Sequence, residues 1–129
     1  EANDQIACLA MIETPEGIEN VEEIVTTPGL TGVYIGPSDL ALALGLPAYG
    51  DQPQEEHLET VKHILATCKK HGVVSGMHTS SLEYTKKYLD LGFNMVMLGS
   101  ETAFMMRTAS KELAEAKGSI VEPGESTGY

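Results

Sequence analysis

The sequence predicts an α/β protein built from four successive strand–helix units whose strands run parallel. Three observations predict it. Four short apolar runs alternate with longer stretches that repeat their apolar residues every three or four positions. Glycine or proline marks most of the switches between them. The residues able to do chemistry stand directly behind the apolar runs, the end of a parallel sheet where sites assemble.

The first unit opens with Gln5–Ile12 (QIACLAMI), apolar enough for a strand buried on both faces. Glu13-Thr14-Pro15 follows, with Thr14 suited to cap a helix and Pro15 to its first turn. A helix is expected over Pro15–Val25, carrying Ile18, Val21 or Glu22, and Val25 on one side, until Pro28-Gly29 ends it. Gly32–Ile35 (GVYI) is the second strand. It runs into Gly36-Pro37-Ser38-Asp39, a short helix Leu40–Leu44, and a loop over Leu46–Pro53. The long helix Gln54–His71 shows apolar spacing at Leu58, Val61, Ile64, Leu65 and Cys68 and stops at Gly72. Val73–Met77 is the third strand. Ser80 and Glu83 form a capping-box pattern for a helix reaching Leu91. Phe93–Leu98 is the fourth strand, and Glu101–Lys117 the last helix. Four such units form either a small open sheet or half of an eightfold barrel, which takes ~250 residues.

At 129 residues the chain is one domain by length. Its net charge of −11 argues against a nucleic-acid or anionic-membrane surface. No apolar run approaches the ~20 residues of a membrane span, and no signal-peptide pattern is present. Tryptophan is absent and aromatics make up 5%, so aliphatic residues and Met fill the core; Met95, Met97, Met105 and Met106 are read as core or subunit packing. Cys8 and Cys68 lack metal or redox spacing and read as buried thiols of a reducing, cytoplasmic compartment. A start at Glu1 reads as a fragment or a processed product.

Glu13 and Asp39 each follow a strand, and adjacent parallel strands would bring both carboxylates to one rim. Two carboxylates without a His or Cys cluster suit a hard divalent ion such as Mg²⁺ or Mn²⁺. Spacing alone leaves open that Glu13 caps one helix and Asp39 starts the next. The backbone of Gly36, Pro37 and Ser38, or of Gly99-Ser100, could receive a carboxylate or phosphate or simply cap a helix. His78 follows the third strand, as a base or as a polar loop residue near the mouth. His57, His63 and His71 on the long helix are read as solvent-facing.

Met11-Ile12-Glu13-Thr14, Gly17, Asn20, Tyr34-Ile35-Gly36-Pro37-Ser38-Asp39-Leu40, Leu44-Gly45, Gly72, Gly76, Leu91-Gly92-Phe93 and Leu98-Gly99-Ser100 resemble the HpcH/HpaI aldolase family over roughly residues 5–110. That family takes in 4-hydroxy-2-oxoheptanedioate and 2-keto-3-deoxy-sugar-acid aldolases and is related to citrate lyase β subunits. The resemblance implies a (β/α)₈ TIM barrel, with residues 1–117 as its C-terminal half and 118–129 as a polar tail. It implies Glu13 and Asp39 as ligands of Mg²⁺ or Mn²⁺, with Co²⁺ or Zn²⁺ compatible. Gly36, Pro37 and Ser38 would contact the pyruvate carboxylate, with an aldehyde as second substrate. Cleavage would pass through a pyruvate enolate stabilised by the metal. The family's catalytic His and substrate Arg belong to the N-terminal half, absent here, so an N-terminal half barrel or a homo-oligomer is expected as partner and the chain alone is expected to be nearly inactive. Arg107, the sole arginine, lies in the last helix and reads as a surface residue. Many members carry Gln where Met11 stands, which puts one substrate hydrogen bond in doubt. A citrate-lyase-like acyl-CoA lyase and a non-catalytic half barrel are the alternatives.

Overall fold

The computed structural model describes residues 5–118, which divide into two compact units with the chain boundary after Leu98. The first unit alternates β1 (Leu9–Met11), α1 (Pro15–Glu19), α2 (Val21–Val25), β2 (Gly32–Ile35), α3 (Pro37–Ala43), α4 (Glu55–His71), β3 (Val74–Met77), α5 (Leu82–Leu91) and β4 (Met95–Val96). Its strands form one parallel sheet in the order β1-β2-β3-β4. Each strand is thus followed by its neighbour, and the helical crossovers bury one face of the sheet. Ile12, Val33, Ile35 and Met77 pack there with Val21, Val25, Leu40, Val61, Ile64, Leu65, Cys68, Tyr88 and Phe93.

The pleat turns alternate side chains to the other face. Met11, Tyr34, Gly76 and Met95 are aligned across the four strands in register. Met11 is 52% and Met95 40% exposed, so the two ends of this row lie open among the described residues.

Several expected boundaries move. The strand expected over Gln5–Ile12 shortens to Leu9–Met11 and the one over Phe93–Leu98 to Met95–Val96. Both are edge strands with a ladder on one side only. Residues 5–8 are exposed, and Cys8 with them, so that thiol is not the buried one expected; Cys68 is buried. The helix over Pro15–Val25 breaks at Asn20, whose backbone leaves the helical region (φ −103°, ψ 16°) while both its amide, at 3.0 Å, and its Nδ2, at 2.7 Å, donate to the Glu16 carbonyl. The short helix starts at Pro37, not Leu40, because Gly36 is extended and proline suits the first helical position. Ser81, not Ser80, caps α5: its Oγ accepts from the Tyr84 amide, while the Ser80 amide donates to Asp51 Oδ1 at 2.9 Å.

His57 is the largest correction. It is fully buried, not solvent-facing. It lies four residues before Val61 on the stripe Val61, Ile64, Leu65, Cys68, so the helix that buries those residues buries it too. His63 is exposed as expected; His71 is half-buried, with Nε2 2.6 Å from Glu22 Oε1.

The second unit contains α6 (Glu101–Ala116), capped by Ser100 Oγ, which accepts from the Ala103 amide at 3.2 Å. Ser100 therefore acts as a cap. Met105 and Met106 are exposed, so they are not core residues. Arg107 lies 5.3 Å over the Phe104 ring. Residues 119–129 of the expected tail lie outside the described ones. Among the described residues no helix is long and apolar enough to cross a membrane.

Candidate metal centre

β1 and β2 deliver their carboxylates to the same end of the sheet. Ile12 is fully buried and its amide donates to the Tyr34 carbonyl at 2.9 Å, which extends the β1–β2 ladder up to Glu13. Thr14 Oγ1 caps α1 by accepting from the Gly17 amide at 3.1 Å. Helix capping is thus done by Thr14, and Glu13 is left free for another purpose.

The Glu13 side chain lies against Gly36. A Cβ at Gly36 would collide with Glu13 Oε2, and Met11 Cε stands 3.4 Å from that same point. Glycine is required here for close approach, since its φ of −90° suits any residue. Asp39 sits in the first turn of α3, where the helix dipole favours an anion. Burial, and secondarily the charge of Asp39, hold the Glu13 carboxyl above its usual pKa. Glu13 Oε2 is buried and accepts no hydrogen bond from the described residues.

An unpartnered, partly desolvated carboxylate oxygen beside a second carboxylate is unfavourable as it stands. A proton or a cation relieves it. The donor set fits Mg²⁺ or Mn²⁺, which take a few carboxylates and fill the remaining positions with water and substrate oxygens. Among the described residues no three His, Cys, Asp or Glu side chains converge.

Pro37 is buried and Ser38 half-buried at the start of α3. The Pro37 carbonyl accepts from His57 Nε2 at 3.2 Å. Since a carbonyl only accepts, Nε2 carries the proton, and Nδ1 is buried without a partner. Burial pushes the His57 pKa down, which keeps the ring neutral.

His78 occupies the same rim at the end of β3, its amide donating to the Ile35 carbonyl at 3.1 Å. Its Nδ1 lies 3.4 Å from the Tyr34 hydroxyl, the two rings edge to face at 87°. The Tyr34 ring lies across Gly76, where a Cβ would strike it. His78 does not join the two carboxylates in a three-residue cluster. Sequence reasoning missed Tyr34 and His57. The first could have been found by noting that it alternates with Val33 and Ile35 on a strand ending at the rim, the second by extending the α4 stripe one turn back. A recess of about 210 Å³ lined by Lys69, Gly72, Val73, Val74, Gly92 and Asn94 lies at the opposite end of the strands and holds none of these groups.

The family described as HpcH/HpaI aldolase/citrate lyase matches residues 1–108. The 5-keto-4-deoxy-D-glucarate aldolase of Klebsiella pneumoniae is 38% identical over 116 residues, 90% of this chain and 44% of that protein. The hydroxypyruvate/pyruvate aldolase of Paraburkholderia phytofirmans is 31% identical over the same share of each. A crystal structure of an HpcH/HpaI aldolase/citrate lyase family protein from Burkholderia cenocepacia superposes with a TM-score of 0.81 at 28% identity, covering 90% of this chain and 44% of that one. The chain thus spans less than half the length of these relatives.

Proposed function

This chain belongs to the HpcH/HpaI aldolase/citrate lyase family, and we propose that it is the C-terminal half of a divalent-metal-dependent aldolase barrel acting on 4-hydroxy-2-oxo acids, with pyruvate as one product. The observation that carries the reading is Glu13 Oε2, buried without a hydrogen bond beside Asp39. The relatives' names support the aldolase class and a pyruvate or hydroxypyruvate partner.

In this reading Glu13 and Asp39 hold Mg²⁺ or Mn²⁺. When bound, the ion supplies Lewis-acid stabilisation of the negative charge that develops on the pyruvate fragment as the carbon–carbon bond breaks. The backbone of Gly36, Pro37 and Ser38 receives the pyruvate carboxylate. Gly36 keeps the Glu13 carboxylate close to that turn. His78, held by Tyr34, faces the aldehyde side and can accept or hold a proton there.

The exposed Met11 and Met95 on one sheet face, together with the one-sided ladders of β1 and β4, support the half-barrel reading. A complementary half would cover that face and pair both edges. It would also bring the further acid–base and substrate-binding groups that the site needs, so the chain by itself has little activity.

The test is pyruvate release from a 4-hydroxy-2-oxo acid with Mg²⁺. It is run on the chain alone, and on the chain mixed with the N-terminal half of the Klebsiella relative. Activity is expected only in the mixture and lost with Glu13→Gln. Full activity of the chain alone, or of the Glu13→Gln mixture, overturns the reading.

A further inference from the structure

We infer that His57 is a positioning residue for the first turn of α3, orienting the groups that the Pro37–Ser38 peptide presents to the metal centre. The inference rests on the reading above and deepens it.

His57 reaches this turn from α4, a different element twenty residues away in sequence. It is fully buried, and its one hydrogen bond runs from Nε2 to the Pro37 carbonyl at 3.2 Å. Gly36, the residue before the helix, supplies no side-chain cap, and Pro37 has no amide proton to give. The start of α3 therefore has proline's fixed φ and the Leu40 amide on the Gly36 carbonyl, but no side-chain cap. The imidazole supplies a fixed point from outside.

What it fixes follows from peptide geometry. The Pro37 carbonyl and the Ser38 amide belong to one planar trans unit and point in opposite directions. Holding the carbonyl against α4 therefore aims the Ser38 N–H the other way, and sets the direction in which Asp39 leaves the next residue. A hydrogen bond accepted by a carbonyl also polarises the amide of the same peptide, which makes that N–H a better donor. The arrangement has a cost, a buried Nδ1 without a partner. Leucine or phenylalanine would fill the same space between α3 and α4 without it. Packing alone does not explain a histidine here; the hydrogen bond to Pro37 does.

The test uses the full chain, its His57→Phe and His57→Gln variants, and Mn²⁺ and pyruvate as probes. The Pro37 carbonyl ¹³C and Ser38 amide ¹⁵N resonances report the peptide directly, without ligand. Both are expected to shift in His57→Phe and to return towards wild type in His57→Gln, whose side-chain amide can donate to the same carbonyl. Pyruvate affinity of the Mn²⁺-loaded chain should fall roughly three- to tenfold in His57→Phe, the size expected for one hydrogen bond, and recover in His57→Gln. Folded variants with unchanged Pro37 and Ser38 resonances and wild-type pyruvate affinity overturn the inference and leave the metal-centre reading standing. Failure of the wild-type chain, mixed with the N-terminal half of the Klebsiella relative, to bind pyruvate in the presence of Mn²⁺ overturns both.

Discussion

Replacing Gly36 by alanine separates the metal centre from the fold. The backbone at Gly36 has φ −90° and ψ 105°, a conformation that alanine adopts without strain. Restricting the unfolded chain there is worth about 0.4–1 kcal/mol in favour of the folded state. The new methyl group, however, falls on Glu13 Oε2, with Met11 Cε 3.4 Å away on another side. Ordinary contact between such atoms is about 3.5 Å, so the carboxylate retreats by roughly 1 Å. It can do so cheaply, since it is the far end of a flexible side chain. A displacement of about 1 Å costs up to ~10²-fold where geometry is demanding. Mn²⁺ affinity should therefore drop ~10- to 100-fold while the melting temperature holds or rises. Opposite movements of affinity and stability cannot arise from general loosening. Calorimetric Mn²⁺ titration beside a thermal melt reads both, and a folded Gly36→Ala chain with wild-type affinity would refute the placement of Glu13 in the site.

The raised Glu13 carboxyl makes a pH prediction. A folded-state pKa above the unfolded one means the folded chain binds more protons between the two values, so metal-free stability falls as pH rises through that interval. Glu13→Gln should thus stabilise the metal-free chain at pH 7 but not below the ordinary carboxylate range near pH 4, and should lose that advantage when Mn²⁺ is added; melts at the two pH values check it. Retro-aldol activity of the purified chain should lie ~10²- to 10⁴-fold below that of an intact relative, the usual worth of missing acid–base groups, and a coupled pyruvate assay measures it. Iodoacetamide should modify exposed Cys8 quickly in the native chain and spare Cys68, which is buried and has its thiol pKa pushed up to about 11; peptide mapping by mass spectrometry shows which thiol reacts.

The parts of the fold legible in sequence are those decided by local pattern. β2, Gly32–Ile35, matches its expected span because all four residues are apolar or glycine and sit centrally between two partners. α4 ends at Gly72 because that residue adopts the left-handed conformation, φ 68°, that glycine takes at little cost. What the pattern could not carry was competition between partners. Asn20 interrupts a helix where its side chain adds a second bond to the Glu16 carbonyl and its backbone leaves the helical region. Ser81 replaces Ser80 as a cap because Asp51, from a distant loop, takes the Ser80 amide. Gln5–Cys8 read as strand because Ile6, Ala7 and Cys8 extend the apolar run, yet edge position leaves them without a second neighbour.

The same division holds at the site. Glu13 follows β1 as expected from position, whereas Asp39 lies inside the first turn of α3, four residues past β2. Their relation was not legible, because the collision point at Gly36 depends on how β1 and β2 pair. His57 was misread because histidine is expected at the surface, while its place four residues before Val61 put it in the core.

The most direct measurement is Mn²⁺ binding followed by water-proton relaxation on the wild-type chain, Glu13→Gln and Asp39→Asn. The account predicts a single site in the wild type, weakened by at least about tenfold when either anionic ligand becomes neutral. Binding of equal strength in all three folded chains would contradict it.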